Sequence, residues 1–173
     1  EYQGKEYGPG HKYYKNDFHE FWNWPLAWDI FWQADPKSAK RYAKQIWQNH
    51  VCNKETGETN RHDVHCGLSF TFMVGNFIEA WSWAYEHTGK QSFKDHCELV
   101  TNFHWSTRNK DTNLIVASGK RGGRGDQQNA TSMLPIFAYH VIDAGRRVES
   151  KQMVERGKAI LEAYANYSYD KGR

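Results

Sequence analysis

From Cys66 to Glu86 the chain reads CGLSFTFMVGNFIEAWSWAYE, which as a helix would be apolar on nearly every side. A helix without a polar face must be buried all round, so other elements have to surround this one. The triplet His87-Thr88-Gly89 follows it, and the glycine is the predicted C-terminal cap. The sequence therefore predicts a central helix with partners on every side.

The predicted helices come in pairs, and each pair consists of a mostly apolar helix and then an amphipathic one. Asp35-Pro36 marks a helix start, with aspartate as the N-cap and proline in the first turn. Ser150 is expected to cap the last helix. Besides the central helix over 66–86, helices are predicted over 25–34, 36–50, 92–107, 131–148 and 151–167.

A short motif recurs after the second helix of two pairs. It reads Asn53-Lys54-Glu55-Thr56 and then Asn109-Lys110-Asp111-Thr112, and the two copies are 56 residues apart. A degenerate third copy, Tyr169-Asp170-Lys171-Gly172, lies at the end. A repeat of this length with two helices per unit predicts an all-α array of three αα-hairpins.

Such an array is either an open solenoid or a closed (α/α) toroid, and the alternation of buried and amphipathic helices favours the toroid. A six-hairpin toroid needs roughly twice this chain, at ~50 residues per hairpin. The sequence thus predicts about half of a toroid over residues 17–173, after an irregular arm over 1–16, with an open three-hairpin array as the alternative. A second copy of the chain, in a homo-oligomer, or a missing remainder would supply the other half, because a chain that begins with glutamate is expected to be processed or truncated.

Two stretches resemble the (α/α)-toroid carbohydrate-active enzymes. The first is Tyr85-Glu86-His87-Thr88-Gly89-Lys90 with Phe93, and the second is Arg108-Asn109-Lys110-Asp111-Thr112-Asn113-Leu114. In those enzymes a tyrosine, a turn of the TGD type, a helix and a turn that often reads TGL follow one another. Lys90 replaces the usual aspartate here, and Asn113 replaces the usual glycine.

Arg61-His62, which follows Lys54-Glu55-Thr56-Gly57, is similar to a pattern in uncharacterised bacterial pectate-lyase-like proteins. The resemblance covers residues 25–115. It implies the toroid fold, a carbohydrate substrate and a secreted or periplasmic location, and it adds weight to His62. It does not select one activity, because this architecture carries lyases, hydrolases and epimerases.

The direction of the helices predicts where a site would lie. In an array of antiparallel hairpins the N-termini of all inner helices meet at one end, which is also where the resembling enzymes have their substrate cleft. Helix N-termini favour anionic ligands. Three segments are expected to converge there: residues 19–24, 60–65 and 119–131.

The first segment, HEFWNW, supplies predicted substrate-binding residues. The flat faces of Trp22 and Trp24 suit the C–H faces of sugar rings. His19 and Asn23 offer polar contacts beside them. Core packing of the two tryptophans is the alternative.

The second segment, NRHDVH, carries predicted acid–base residues. His62 and His65 are the candidate bases, Arg61 is a candidate substrate contact, and Asp63 is an orienting carboxylate. The same histidines and aspartate also suit a divalent metal ion, which is therefore a candidate cofactor. Solvated turn residues are the alternative.

The third segment, GKRGGRGDQQNAT, is a glycine-rich loop with charged and amide side chains. Arg121 and Arg124 carry guanidinium forks that bind carboxylates bidentately, and they are the predicted catalytic cations. Gln127 and Gln128 are predicted substrate contacts. A solvated loop is the alternative.

Glu79 lies inside the apolar central helix, one turn from Asn76. A buried carboxylate must be paired or must give up its charge. Glu79 is therefore either held by a structural hydrogen bond or is a catalytic acid–base group.

These residues favour a polysaccharide lyase that acts on a uronate polymer. A lyase needs a cation on the uronate carboxylate and a base for the neighbouring proton. Arg121 or Arg124 would supply the cation, and His62, His65 or an arginine would act as the base. A glycoside hydrolase, with carboxylates drawn from Asp63, Glu79 and Asp126, is the first alternative. A non-catalytic sugar-binding or self-assembling helical module is the second.

Composition narrows the classes of partner. Aromatic residues make up 16% of the chain, which suits stacking on sugars as well as a core. The net charge is only +3 and no Lys/Arg stripe alternates with the aromatics, so a nucleic-acid partner is not expected. No apolar run approaches the ~20 residues of a membrane span.

The three cysteines leave at least one thiol unpaired within the chain, and a Cys52–Cys66 bridge is one arrangement.

Overall fold

The computed structural model describes residues 27–59, 71–115 and 133–167, and most of them are helical. The prediction of an all-α chain is confirmed at this level, while the predicted arm over 1–16 lies outside the described residues. The helices of the described ranges are α1 (Ala27–Ala34), α2 (Pro36–His50), α3 (Thr71–Thr88), α4 (Gln91–Ser106), α5 (Met133–Arg147) and α6 (Lys151–Tyr167). Two short antiparallel strands, which the sequence pattern does not predict, are β1 (Val51–Asn53) and β2 (Glu58–Thr59).

The boundary between α1 and α2 follows the predicted capping chemistry. Oδ1 of Asp35 accepts a 3.0 Å hydrogen bond from the backbone N–H of Ser38, and Pro36 lies in the first turn. The hydrogen bond from the Ser38 backbone stabilises the carboxylate and holds the pKa of Asp35 below its usual value. The cap makes α1 and α2 two separate helices.

Helix α3 lies at the centre of the hydrophobic core. Its side chains from Met73 to Ser82 are all buried, as predicted for a helix without a polar face. It packs mainly against α4 and α5, and also against α1 and α2. The indole Nε1 of Trp81 donates a 2.9 Å hydrogen bond to the carbonyl oxygen of Ala43 in α2. Gly89, with φ +63°, ends the helix as predicted.

The contacts of α3 with α5 give the relative direction of these two helices. Glu79 contacts His140, and further along both helices Glu86 contacts Arg147. Because the contacts occur in the same order along both helices, α3 and α5 run parallel. Their side chains therefore face each other over several turns.

Helices α5 and α6 run antiparallel and approach closely at two glycines. Gly145 of α5 lies against Met153 of α6, and Gly157 of α6 lies against Ala138 of α5. A Cβ atom at Gly157 would come within 3.0 Å of the Ala138 carbonyl oxygen. The absence of a side chain at this position lets the two backbones meet.

The first copy of the repeated motif forms the turn between β1 and β2. Oδ1 of Asn53 accepts hydrogen bonds from the backbone N–H groups of Glu55, at 3.0 Å, and Thr56, at 3.2 Å. Gly57 closes the turn with φ +81°, and its N–H donates to the Asn53 carbonyl oxygen at 2.9 Å. The Thr56 hydroxyl then accepts from the N–H of Glu58 at 3.3 Å.

The second copy has the same hydrogen bonds after α4. Oδ1 of Asn109 accepts from the N–H groups of Asp111, at 2.8 Å, and Thr112, at 3.1 Å. Asn113 has φ +60° and donates its N–H to the Asn109 carbonyl oxygen, and the Thr112 hydroxyl accepts from Leu114. The sequence repeat is therefore also a structural repeat, while its third copy lies outside the described residues.

The cysteines fall into two classes. Cys52, in β1, takes part in a disulfide. Cys97, in α4, is a buried free thiol whose pKa is raised well above its usual value by that burial. Cys66, the other half of the bridge considered from the sequence, lies outside the described residues.

Candidate functional site

Glu79 and His140 form a buried pair between the two parallel helices. Glu79 comes from the middle of α3 and His140 from the middle of α5, and each residue is 2% exposed. Oε2 of Glu79 lies in contact with Nδ1 of His140. Nδ1 of His140 nevertheless has no partner with hydrogen-bond geometry among the described residues. Both roles expected for Glu79, a structural hydrogen bond and a catalytic acid–base group, therefore stay predictions.

Gly75 and Asn76, one turn before Glu79, shape the space around this pair. A Cβ atom at Gly75 would lie 2.7 Å from Cδ2 of His140, so the imidazole ring packs directly on the backbone of α3. Asn76 is buried, and its amide Nδ2 has no hydrogen-bond partner among the described residues. An unpaired buried donor is costly, so it is available to a ligand oxygen that reaches it.

Tyr139 provides an accessible phenol next to the buried pair. Its ring centroid lies 5.5 Å from that of His140, and the residue is 50% exposed. Partial burial, then the negative charges of Asp143 and Glu79, raise the pKa of Tyr139 above its usual value. The phenol therefore holds its proton more tightly than an ordinary tyrosine does.

Arg147 lies at the C-terminal end of α5, beside α3, and two carboxylates neutralise its charge. Its guanidinium forms ion pairs with Asp143 and, at 3.2 Å, with Glu86. It donates a 2.9 Å hydrogen bond to Oγ of Ser82 and lies over the ring of Trp83, with Cζ 4.1 Å from the centroid. These contacts fix the last turn of α5 against α3.

The aromatic groups at this end of the helices stack on one another. The rings of Trp32 and His87 are nearly parallel, with centroids 4.7 Å apart, and the rings of Trp83 and His87 are 5.9 Å apart. Trp32 is buried, and the guanidinium of Arg147 lies over the Trp83 ring. The stack therefore links α1, α3 and α5, and its tryptophans are engaged within the protein.

Of the site residues predicted from the sequence, Glu79 is the one that falls among the described residues. The structure brings it together with His140 and Tyr139, which the sequence argument missed. The signal for His140 was present, because it is a polar residue inside the mostly apolar helix α5. The other predicted residues lie outside the described ranges: His19, Trp22, Asn23, Trp24, Arg61, His62, His65, Arg121, Arg124, Gln127 and Gln128.

Among the residues that the structure describes, no group of three or more His, Cys, Asp or Glu side chains is arranged to hold a metal ion. None of the described helices combines the length and the apolar character needed to cross a membrane.

Comparisons of this chain with protein-family models, with curated proteins and with solved structures find no match.

Proposed function

We propose that this protein is a carbohydrate-active enzyme, a polysaccharide lyase that cleaves a uronate-containing polymer by β-elimination. The observation that carries the proposal is the buried Glu79–His140 pair with the exposed Tyr139 phenol beside it. A carboxylate orients an imidazole through one ring nitrogen and leaves the other to take up a proton. A phenol that keeps its proton supplies the complementary acid.

The proposed fold is an array of three αα-hairpins that forms about half of an (α/α) toroid. Its support is the parallel course of α3 and α5, the antiparallel packing of α6 on α5, and the same turn after α2 and after α4. In this arrangement α1, α3 and α5 are the inner helices. The rest of the toroid would come from further chain or from a second copy.

In the proposed reaction the nitrogen of His140 that does not face Glu79 removes the proton on C5 of the uronate. The electron pair of that C–H bond forms the C4–C5 double bond as the C4–O bond breaks. Tyr139 gives its proton to the departing oxygen, and solvent returns both side chains to their starting states. Substrate would enter from the Tyr139 side, since His140 is 2% exposed and Tyr139 is 50% exposed.

The negative charge that develops on the uronate carboxylate has to be stabilised. The unpartnered amide of Asn76, one turn before Glu79 on α3, is a candidate donor for it. Arg121 and Arg124, the cations predicted from the sequence, would act on the same carboxylate, with Trp22 and Trp24 as sugar contacts. His62 and His65 remain the alternative bases, with or without a divalent metal ion.

A secreted or periplasmic location is part of the proposal. Its support is the disulfide of Cys52, because disulfides persist in oxidising compartments and are rare in the cytosol. Acidic polysaccharides of cell walls and matrices are found in those compartments.

The test is product analysis after the protein has been incubated with uronate polymers of different linkage, with and without a chelator. A lyase produces an unsaturated uronate, so ultraviolet absorption and new reducing ends rise together. New reducing ends without ultraviolet absorption would indicate the hydrolase alternative. Binding without new ends would indicate a non-catalytic module, and either of these results would contradict the lyase proposal.

A further inference from the structure

Trp105, in the last turn of α4, contacts two guanidinium groups. Cζ of Arg108 lies 4.2 Å from the ring centroid, and Cζ of Arg156, which comes from α6, lies 5.8 Å from it. Arg156 also donates a hydrogen bond to Oδ1 of Asn102, one turn back on α4. Two arginines from different parts of the chain are therefore gathered at one aromatic ring.

Neither of these guanidinium groups has a carboxylate partner in the part of the chain that the structure describes. Arg108 is held by neutral acceptors, with Nε donating to Oδ1 of Asn113 at 3.2 Å and Nη1 to the Trp105 carbonyl oxygen at 3.1 Å. Partial burial and the nearby charge of Arg108 lower the pKa of Arg156, which indicates mutual repulsion. An anion placed here would reduce that repulsion.

Arg147 provides a comparison within the same protein. It also lies over a tryptophan, Trp83, but Glu86 and Asp143 offset its charge. The charge of Arg147 is therefore balanced within the protein and needs no anionic ligand. The contact at Trp105 has two positive charges and N–H donors that no described carboxylate uses.

We propose that Arg108, Arg156 and Trp105 form a binding site for an acidic polysaccharide chain, apart from the site at Tyr139. Guanidinium forks bind carboxylates in a bidentate manner, and Trp105, which packs against the core, holds the two guanidinium groups side by side. The choice of a polysaccharide among anionic ligands rests on the proposed function, whereas the anion site rests on the geometry at Trp105. The site would hold the polymer on the outer helices while another part of it reaches the inner ones.

The experiment is a titration of the ¹⁵N-labelled full chain with a galacturonate oligomer, followed at the indole N–H signals. The Trp105 signal, assigned by its loss in Trp105→Phe, is expected to shift, and the Trp83 signal serves as the internal reference. Arg156→Gln is expected to weaken the binding seen at Trp105 about tenfold, as for the loss of a hydrogen-bonded charge pair. Lys158→Gln removes an equal charge from an exposed position on the same helix and is expected to leave the binding unchanged.

Several results would overturn the site. One is that the Trp105 indole signal does not shift, and another is that Arg156→Gln and Lys158→Gln weaken the binding equally. The others are that a neutral oligosaccharide binds as tightly as the galacturonate oligomer, or that a single-stranded DNA oligomer binds more tightly. Elimination activity measured on the same samples separates this proposal from the proposed function. Arg156-dependent binding without elimination would keep the site and reject the lyase, and elimination without Arg156-dependent binding would do the reverse.

Discussion

Replacement of His104 by leucine is expected to remove part of the acid sensitivity of the fold. His104, in α4, is fully buried with its ring centroid 5.6 Å from that of Phe137, and neither ring nitrogen has a hydrogen-bond partner among the described residues. Burial lowers the pKa of His104 from 6.5 to about 4, because the surroundings disfavour the charged imidazolium. A difference of this size corresponds to roughly 3 kcal/mol.

The direction in which pH changes the stability follows from the order of the folded and unfolded pKa values of His104. Because the folded value lies below the unfolded one, the unfolded chain takes up the proton first as the pH falls. The stability associated with neutral His104 is complete above pH 6.5 and is lost as the pH falls from 6.5 to about 4. Burial lowers the pKa of His96 to about 4 as well, so it acts in the same direction, but its greater exposure makes its contribution smaller.

The assay is urea unfolding followed by circular dichroism at about pH 7 and about pH 4.5. We expect His104→Leu to lose roughly 2 to 3 kcal/mol less free energy of unfolding between these pH values than the unchanged protein. Phe103→Leu, at the adjacent position of α4, alters packing without removing a titrating group and should keep the full pH dependence. Equal losses in His104→Leu and the unchanged protein would refute the argument.

The remaining predictions concern three substitutions, at Gly57, Asn113 and Gly75, whose effects on stability urea unfolding measures. Gly57→Ala should destabilise the fold by about 2 kcal/mol, because its φ is +81° and a Cβ would lie 2.8 Å from the carbonyl oxygen of Leu99. Asn113→Gly, at the equivalent turn with φ +60°, should change the free energy of unfolding by no more than about 0.5 kcal/mol. A loss of stability as large as that of Gly57→Ala would count against the equivalence of the two turns. Gly75→Ala should cost about 1 to 3 kcal/mol and also lower activity, because its Cβ would displace His140 from Glu79, and an unchanged stability would contradict the close packing.

The helix boundaries were predictable because their causes are local. Asp35 caps α2 through an N–H three residues away, and Gly89 ends α3 because its own backbone adopts a positive φ. The burial of α3 was predictable for a similar reason, since its sequence has no polar face. None of these predictions needs knowledge of a distant residue.

The pairing of Glu79 depends on packing between helices that are distant in sequence. The sequence indicated that this carboxylate needs a partner, but the partner, His140, is set by how α5 lies against α3 and by the room that Gly75 leaves. The strands β1 and β2 depend on a different feature. The sequence predicts a turn at the repeated motif, but the pairing of the strands follows from how the Asn53 side chain folds the chain back.

The most direct test of the account is the elimination rate of Tyr139→Phe beside that of Tyr167→Phe. Both tyrosines are exposed, Tyr139 at 50% and Tyr167 at 55%, so neither change should unfold the chain. If Tyr139 donates the proton to the departing oxygen, its loss should lower kcat by roughly 10²- to 10⁴-fold, while Tyr167→Phe keeps the full rate. A Tyr139→Phe variant as active as Tyr167→Phe would contradict the assignment of the active site to this face of α3 and α5.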